Sequence, residues 1–270
     1  MFRSILAISQ GGPDSAMSFK LAKRLAGVFG GEADALHVTP GMPHDIVMAS
    51  EMMPPMVGHG EDDARAAESA RQYAEILEPL RGSTYTADKM PTLDGLILLG
   101  RSADLVVVGR PGSDPENVAP ATVQAAIYDC ARPVMIAPPD PGQGDFDHVV
   151  VAWNGSFQAA RAVGYAAPFL ARAKRVTIVV VGQAPERVGA PYLARTLGRS
   201  GIQTFVESID PGAVSARARG RALLGYTNDK RADLLVMGAY GRGQLLTFLG
   251  MGGATAKVIS SSRVPLLVAH

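Results

Sequence analysis

The sequence is poor in cysteine, in excess charge of either sign and in long apolar runs. A single cysteine, Cys130, excludes an internal disulfide framework and is typical of a reducing compartment. Lysine and arginine number 26 against 25 aspartates and glutamates, so there is no electrostatic footprint for nucleic acid or an anionic membrane. No apolar run reaches about 18 residues, the length expected of a membrane-spanning helix. We therefore expect a cytoplasmic protein that binds neither nucleic acid nor membrane.

The apolar residues that are present are numerous enough for two domains. Hydrophobic residues make up 47% of the 270 residues, which is typical of a globular protein. The opening segment Met1–Gly12 has neither a long apolar stretch nor a small-residue cleavage site, so we expect a first strand there rather than a leader.

The two halves of the chain repeat each other. Three pairs of segments match, namely Phe2–Ile8 with Phe146–Ala152, Ala103–Gly109 with Ala232–Gly238, and Pro133–Ala137 with Pro265–Ala269. Each opening segment leads into a helical pattern with one apolar stripe, formed by Met17, Leu21, Leu25 and Val28 in the first half and by Ala159, Val163, Ala166 and Leu170 in the second. Matching landmarks in the same order indicate an internal repeat.

Strands alternate with helices in each repeat, and most strands are continuous apolar runs. This pattern predicts an α/β fold of two tandem doubly wound, mostly parallel five-stranded sheets with flanking helices. The Pro- and Gly-rich segment Pro138–Gly144 separates the repeats, so we place the domains at residues 1–140 and 145–270. The last strand of each repeat would expose an edge, which favours an intrachain pseudo-dimer, and a homodimer is a further expectation.

A ligand of such a sheet binds beyond the carboxyl ends of the strands, where the strand order reverses. In the second repeat this position holds a glycine-rich loop, Gly238–Thr255, followed by a predicted helix over 256–261. Glycines let the backbone approach an anion, and a helix N-terminus supplies free N–H groups. Thr255 adds a hydroxyl and Arg242 adds a positive charge, while Trp153 and Asn154 follow the neighbouring strand.

These segments resemble the universal stress protein family in its tandem two-domain form. The residues that carry the resemblance are Val150–Ser156, Ala232–Gly243 and Val264–Val268. The resemblance covers the whole chain and is stronger in the second half. It implies an adenine nucleotide alpha hydrolase-like fold and a regulatory or binding protein of the stress response.

Nucleotide-binding members of that family carry the pattern G-x2-G-x9-G-[S/T] after the fourth strand. The resemblance implies that this loop binds the phosphates and ribose of ATP or another adenine nucleotide, with or without Mg²⁺. The positions carried over to it are Gly238, Gly241, Gly252, Gly253, Ala254 and Thr255. It also implies that Asn154 contacts the adenine and that Val181 lines the base.

The sequence departs from the family pattern at two places. The last glycine, Gly252, comes one position late, which shifts the helix start by about a quarter turn or adds a bulge. Asn154 stands where the family has an acidic residue. An amide both donates and accepts hydrogen bonds, so contact with adenine survives the change.

The first repeat departs further from the pattern. Its loop keeps Gly109 and Gly112, but the residues that follow include Asp114 and Glu116, which repel phosphate. Prolines at 111 and 115 remove backbone donors. We expect no nucleotide site in the first repeat.

Other interpretations stay open. The glycine loop is also consistent with a tight connection between a strand and a helix. The protein could also be an interaction protein that needs no nucleotide and binds an unknown protein partner, or a slow ATP hydrolase. No Ser/His/Asp set, Cys/His metal signature or Walker loop is recognisable, so we predict no catalytic residue and no metal ligand.

Four further features receive structural interpretations. Five methionines within 42–56, with His44 and His59 nearby, suggest a site for a soft metal ion. The favoured interpretation is that these flexible side chains cover an apolar edge of the domain or form a surface for a partner. Cys130 is expected to be buried, His37 to be a packed polar strand end, and the arginines at 217, 219 and 221 to form a solvated helix face.

Overall fold

The computed structural model describes residues 1–39, 59–88, 93–112, 117–212, 215–239 and 253–270. The chain divides into two compact units, Met1–Pro139 and Asp140–His270. Each unit contains one five-stranded sheet with helices on it. Within the described ranges, none of the helices combines the length and the apolar character that crossing a membrane requires.

The first unit alternates strands and helices from its start to its end. Its strands are β1 (Ser4–Ser9), β2 (Glu32–Val38), β3 (Tyr85–Asp88), β4 (Leu105–Gly109) and β5 (Val134–Ala137). Its helices are α1 (Pro13–Phe29), α2 (His59–Ile76), α3 (Asp94–Ser102) and α4 (Pro120–Asp129). The strands pair in parallel in the order β3-β2-β1-β4-β5.

The second unit has the same plan. Its strands are β6 (His148–Ala152), β7 (Arg175–Val181), β8 (Thr204–Ile209), β9 (Leu234–Gly238) and β10 (Leu266–Ala269). Its helices are α5 (Phe157–Leu170), α6 (Ala190–Arg199), α7 (Ala216–Asp229) and α8 (Ala254–Ser261), with a short 3-10 helix at Pro185–Val188. Parallel pairing gives the order β8-β7-β6-β9-β10.

The predicted fold class is confirmed. In both units the strand order reverses between the first and fourth strands, β1 with β4 and β6 with β9. All residues of β4 and β5 are buried, as expected for parallel strands that are covered on both faces. The cores also correspond, because the opening phenylalanine of each unit packs edge-to-face on a helix, Phe2 on Phe29 and Phe146 on Phe169.

The predicted helix stripes hold fully for α5 and in part for α1. All four stripe residues of α5 are buried. In α1, Leu21 and Leu25 are buried but Met17 and Val28 are only half-buried. The polar residue Ser18 faces the sheet beside Leu21, and its hydroxyl donates to the Ile8 carbonyl at 2.7 Å. A satisfied serine lets the helix approach the strand closely, which a search for apolar periodicity overlooks.

Candidate functional site

A cleft of about 190 Å³ opens in the second unit beyond the carboxyl ends of β6 and β9. It lies at the reversal of strand order, where ligands of doubly wound sheets bind. Five of the ten residues predicted for the site line it: Trp153, Asn154, Val181, Gly238 and Ala254. The structure therefore brings together residues that lie up to about a hundred positions apart in the sequence.

The walls of the cleft are apolar on the sheet side and mixed on the helix side. Val179 and Val181 are two positions apart along β7, so their side chains lie on the same face of the sheet. Helix α7 faces them with Leu223 and with Arg219 and Gly220 one turn earlier. Such a slot accepts a flat, largely apolar group on one side and a polar or charged group on the other.

Trp153 is held at the edge of the cleft by both of its N–H groups. Its backbone N–H donates to the Val179 carbonyl at 2.9 Å, and the indole Nε1 donates to the Val188 carbonyl at 2.7 Å. The polar end of the indole is therefore satisfied by the backbone of the 3-10 helix. This leaves the ring itself as the part of Trp153 that a ligand would meet.

Asn154 uses its side-chain oxygen to order its own turn. Oδ1 accepts from the backbone N–H of Ser156 at 3.1 Å and from the Ser156 hydroxyl at 2.7 Å. Ser156 is in turn the N-cap of α5 and accepts from the Ala159 N–H. Because the oxygen is engaged, the NH₂ group is the part of the Asn154 amide that remains for a ligand acceptor.

Helix α8 begins two residues earlier than the sequence indicates. The prediction that it starts at Ala256 is wrong, because Gly253 is the N-cap and Ala254 and Thr255 form the first turn. Gly253 has extended backbone angles that end the loop, and the alanines that follow are strong helix formers. Among the residues that the structure describes, no side chain caps this terminus, and its first residue, Ala254, lines the cleft.

Gly253 and Thr255 adjoin the cleft without lining it. Three other predicted residues, Gly241, Arg242 and Gly252, lie outside the described residues. The methionine-rich segment 42–56 also lies outside them.

Gly238 is required by packing as well as by the cleft. A Cβ atom on Gly238 would lie 2.6 Å from the Ala159 nitrogen and 2.7 Å from the Gln158 carbonyl carbon. The first turn of α5 therefore rests directly on the end of β9. This close approach favours a structural reason for this glycine, independent of any phosphate.

Eight lining residues of the cleft were not predicted, and Gln183, Arg219 and Gly220 are the ones among them that are not apolar side chains. Arg217, Arg219 and Arg221 are all exposed, as expected of a solvated helix face, and Arg219 in addition lines the cleft. Gly220 lies where a Cβ would come within 2.9 Å of the Ala254 carbonyl oxygen, so α7 and α8 meet there. The signal that the sequence offers for this contact is a glycine inside a helix, three positions before Leu223.

The charge of the cleft has one sign. Among the described residues that line it, Arg219 is the one charged side chain, and none is an aspartate, a glutamate or a histidine. An arginine together with an uncapped helix N-terminus favours an anionic ligand. In the part of the chain that the structure describes, no group of three or more metal-ligating side chains is gathered.

The corresponding position in the first unit is filled by the chain itself. Gln10 follows β1 as Asn154 follows β6, and it is 2% exposed. Its Oε1 accepts from the backbone N–H of Ala119 at 2.7 Å, and its Nε2 donates to the Thr122 hydroxyl at 2.9 Å. Ala119 is the N-cap of α4, so a glutamine side chain occupies the helix terminus that is uncapped in α8.

Backbone hydrogen bonds also hold the loop after β4 in the first unit. Val118 donates to the Arg110 carbonyl at 3.1 Å, and Gly112 donates to the Val118 carbonyl at 3.4 Å. Asp114, Pro115 and Glu116, which suggested a lost phosphate site, lie outside the described residues. The described contacts give a different physical reason for the same expectation, because the Gln10 side chain already occupies the start of α4.

Two buried groups of the first unit are not part of this site. His37 is 1% exposed near the end of β2, and burial holds its pKa below the usual value despite the nearby Asp62 carboxylate on α2. Cys130 is buried, as predicted, and burial raises the pKa of its thiol to about 11. The thiol therefore stays protonated and unreactive at neutral pH.

No protein-family model and no curated protein matches the sequence. Solved structures do match. A universal stress protein from Archaeoglobus fulgidus aligns with a TM-score of 0.71 at 20% identity, covering 98% of this chain and 97% of that one. A Pseudomonas aeruginosa protein titled as a universal stress protein aligns at 0.56 and 15% identity, over 99% and 93% of the two chains.

A second Pseudomonas aeruginosa structure, of a protein of unknown function, aligns at a TM-score of 0.56 and 16% identity, with 99% of this chain covered and 92% of that one. These likenesses span both units. The chain is thus a doubly wound α/β protein with two tandem units. Its fold is that of the tandem universal stress proteins, so the resemblance found in the sequence is confirmed at the level of the fold.

Proposed function

We propose that the second unit binds ATP or a related adenine nucleotide in the cleft, with or without Mg²⁺, and that the protein is a regulatory binding protein of the stress-response type. The observation that carries the proposal is the composition of the cleft. An apolar slot, an uncapped helix N-terminus and an unopposed arginine meet at the reversal of strand order.

The base has a place in the apolar part of the cleft. Val179 and Val181 form one wall and Leu223 forms the other, which suits the two faces of a purine. The Asn154 NH₂ group at the rim is a donor for a ring nitrogen of the base. An aspartate there would only accept, so the asparagine changes which edge of the base it recognises.

The phosphates have a place at the start of α8. The first-turn N–H groups at Ala254 and Thr255 carry the partial positive charge of the helix terminus, and no side chain of the described ranges caps them. In this proposal Gly241 and Gly252 complete the phosphate site, as the resemblance implies, and Arg242 adds a positive charge. Mg²⁺, where present, is held by the phosphates, because the described lining residues include no carboxylate.

The proposal is binding rather than hydrolysis. Hydrolysis needs a group that orients or deprotonates the attacking water, and none of the described lining residues is a carboxylate or a histidine. A regulatory module that holds a nucleotide without rapid turnover needs no such group.

Two measurements test the proposal. Mass spectrometry of small molecules released by denaturing freshly purified protein should detect an adenine nucleotide, and calorimetry with ATP should give one site per chain. Replacing Gly252 and Gly253 together by valine should abolish binding, because side chains block the approach of the phosphates to the backbone. Gly225→Ala, on the open side of α7, is the matched control that should bind normally.

The opposite result has a clear meaning. If no nucleotide is released and ATP, ADP and AMP all fail to bind, the proposal is wrong. The nucleotide-independent interaction protein then becomes the better interpretation.

A further inference from the structure

Arg219 is the one charged residue among the described residues that line the cleft, and its position in the fold has three unusual features. It lies in the first turns of α7, which has no acidic residue in its first turn, so its charge faces the positive end of a helix dipole. It is exposed, yet it lines the cleft rather than pointing away from it. Among the described residues its guanidinium has no hydrogen-bond or ion-pair partner, although its backbone N–H donates to Ser215.

The side chain of Arg219 lies towards β7. Its Nε is 3.9 Å from the position a Cβ would take on Gly182, the residue that directly follows Val181. Its neighbour Gly220 lies instead against Ala254 at the start of α8. Arg219 therefore lies on the α7 wall at the end of the cleft near Gly182, away from the helix terminus that would take phosphates.

We propose that the Arg219 guanidinium stacks on the exposed face of the ligand's purine base and so selects a flat, electron-rich ring at this end of the cleft. The inference rests on the proposed nucleotide binding and adds the residue that covers the base. A guanidinium is planar and weakly hydrated, so it packs on an aromatic face while keeping its N–H groups in water. The valines of β7 cover the opposite face of the ring.

The two neighbouring arginines of α7 provide matched controls. Arg217 and Arg221 are two positions away along the helix, which turns them by about 200° from Arg219. Both are exposed and neither lines the cleft. They carry the same charge on the same helix, so they separate contact with the ligand from a general electrostatic effect.

The test is calorimetric titration of ATP, ADP and AMP into the full chain and into Arg219→Ala, Arg219→Lys and Arg217→Ala. Stacking predicts that Arg219→Ala weakens all three nucleotides by the same factor, about tenfold. Lysine keeps the charge but not the plane, so Arg219→Lys should stay within about twofold of the alanine variant. Arg217→Ala should match the unmodified chain. All variants should keep their thermal stability, because Arg219 makes no side-chain contact with a partner in the described part of the chain.

Other outcomes overturn the inference in distinct ways. A loss that grows from AMP to ATP and is recovered by lysine assigns Arg219 to the phosphates. Unchanged affinity for all three nucleotides removes it from the site while leaving the proposed function standing. If the unmodified chain binds none of the three, the proposed function fails, and the inference fails with it.

Discussion

The two units share a sheet order and a turn after the first strand, but they use that turn in opposite ways. Gly11 and Gly155 both have a positive φ, of 74° and 72°, and each follows an amide residue. In the first unit the amide is Gln10, which is buried and bonded to the start of α4. In the second it is Asn154, which is exposed and bonded to its own turn.

This difference is one methylene group in length. The longer side chain reaches the helix N-terminus and accepts from the Ala119 N–H, whereas the shorter one folds back and bonds to its own turn. A side chain that hydrogen-bonds to the helix N-terminus blocks a ligand site there, just as the loss of the glycines in the loop would. The comparison teaches that the units differ in which group occupies the helix N-terminus. In the first unit it is a side chain of the same chain, and in the second, in our proposal, it is a ligand.

The largest effect should come from Gly238→Ala in the second unit. The added Cβ would lie 2.6 Å from the Ala159 nitrogen, so α5 must shift, and we expect a loss of about 2–3 kcal/mol of unfolding free energy. Urea unfolding measures it. Gly164→Ala on α5, where a Cβ meets nothing within 4 Å, should instead stabilise the helix by up to about 1 kcal/mol. If Gly238→Ala left stability intact and removed only nucleotide binding, the glycine would serve the ligand rather than the packing.

Next in size is Gln10→Ala in the first unit. It leaves the half-buried Ala119 N–H and the buried Thr122 hydroxyl without these partners, which costs about 1–3 kcal/mol of unfolding free energy. The matched change Asn154→Ala affects an exposed side chain and should cost less than about 1 kcal/mol. Both are measured by denaturant unfolding. Equal losses would contradict the asymmetry between the units.

Asn154→Gln should transfer the self-filled arrangement to the second unit. The longer amide would reach the start of α8, and we expect ATP to bind about tenfold more weakly, since one net hydrogen bond is worth about 1–1.5 kcal/mol. Adding Ala256→Thr supplies the hydroxyl partner that Thr122 gives in the first unit and should deepen the loss. Calorimetry with Asn154→Ala as control isolates the effect. A loss no larger than that of the alanine control would mean that the glutamine does not fill the cleft.

The smallest effect concerns His37, whose counterpart near the end of β7 is Val180. Burial lowers the pKa of His37 in the folded state, so below about pH 6.5 the unfolded chain takes up a proton that the folded chain refuses. Stability should therefore fall as the pH drops through this range, and His37→Val should reduce the slope. The check is the denaturant midpoint at several pH values between 5 and 7.5. His148, whose pKa is also lowered by burial, keeps part of the slope in both proteins. A slope unchanged by the substitution would show that His37 does not contribute.

The repeat and the fold were predictable because apolar strands, helix spacing and the matching prolines are local patterns. The place of the cleft was predictable as well, since Trp153 and Asn154 directly follow an apolar strand and Gly238 ends another. The general rule for doubly wound sheets then brings those strand ends together.

The rest depends on contacts that local patterns do not carry. Arg219 was read as a solvated residue because its place over Gly182 depends on how α7 lies on the sheet. No local pattern distinguishes Gln10, although the repeat aligns it with Asn154. That its amide reaches Ala119, more than a hundred residues later, is a property of the packed unit alone.

Trp153 gives the most direct test of the central claim that the second unit binds a nucleotide in its cleft. It is the only tryptophan of the chain, its Nε1 is tied to Val188, and its ring borders the cleft. ATP should change its emission saturably with a midpoint that matches calorimetry at one site per chain, and Trp153→Phe should erase the signal while binding persists. Flat emission during a titration in which calorimetry detects binding, or two equivalent sites per chain, would contradict the account.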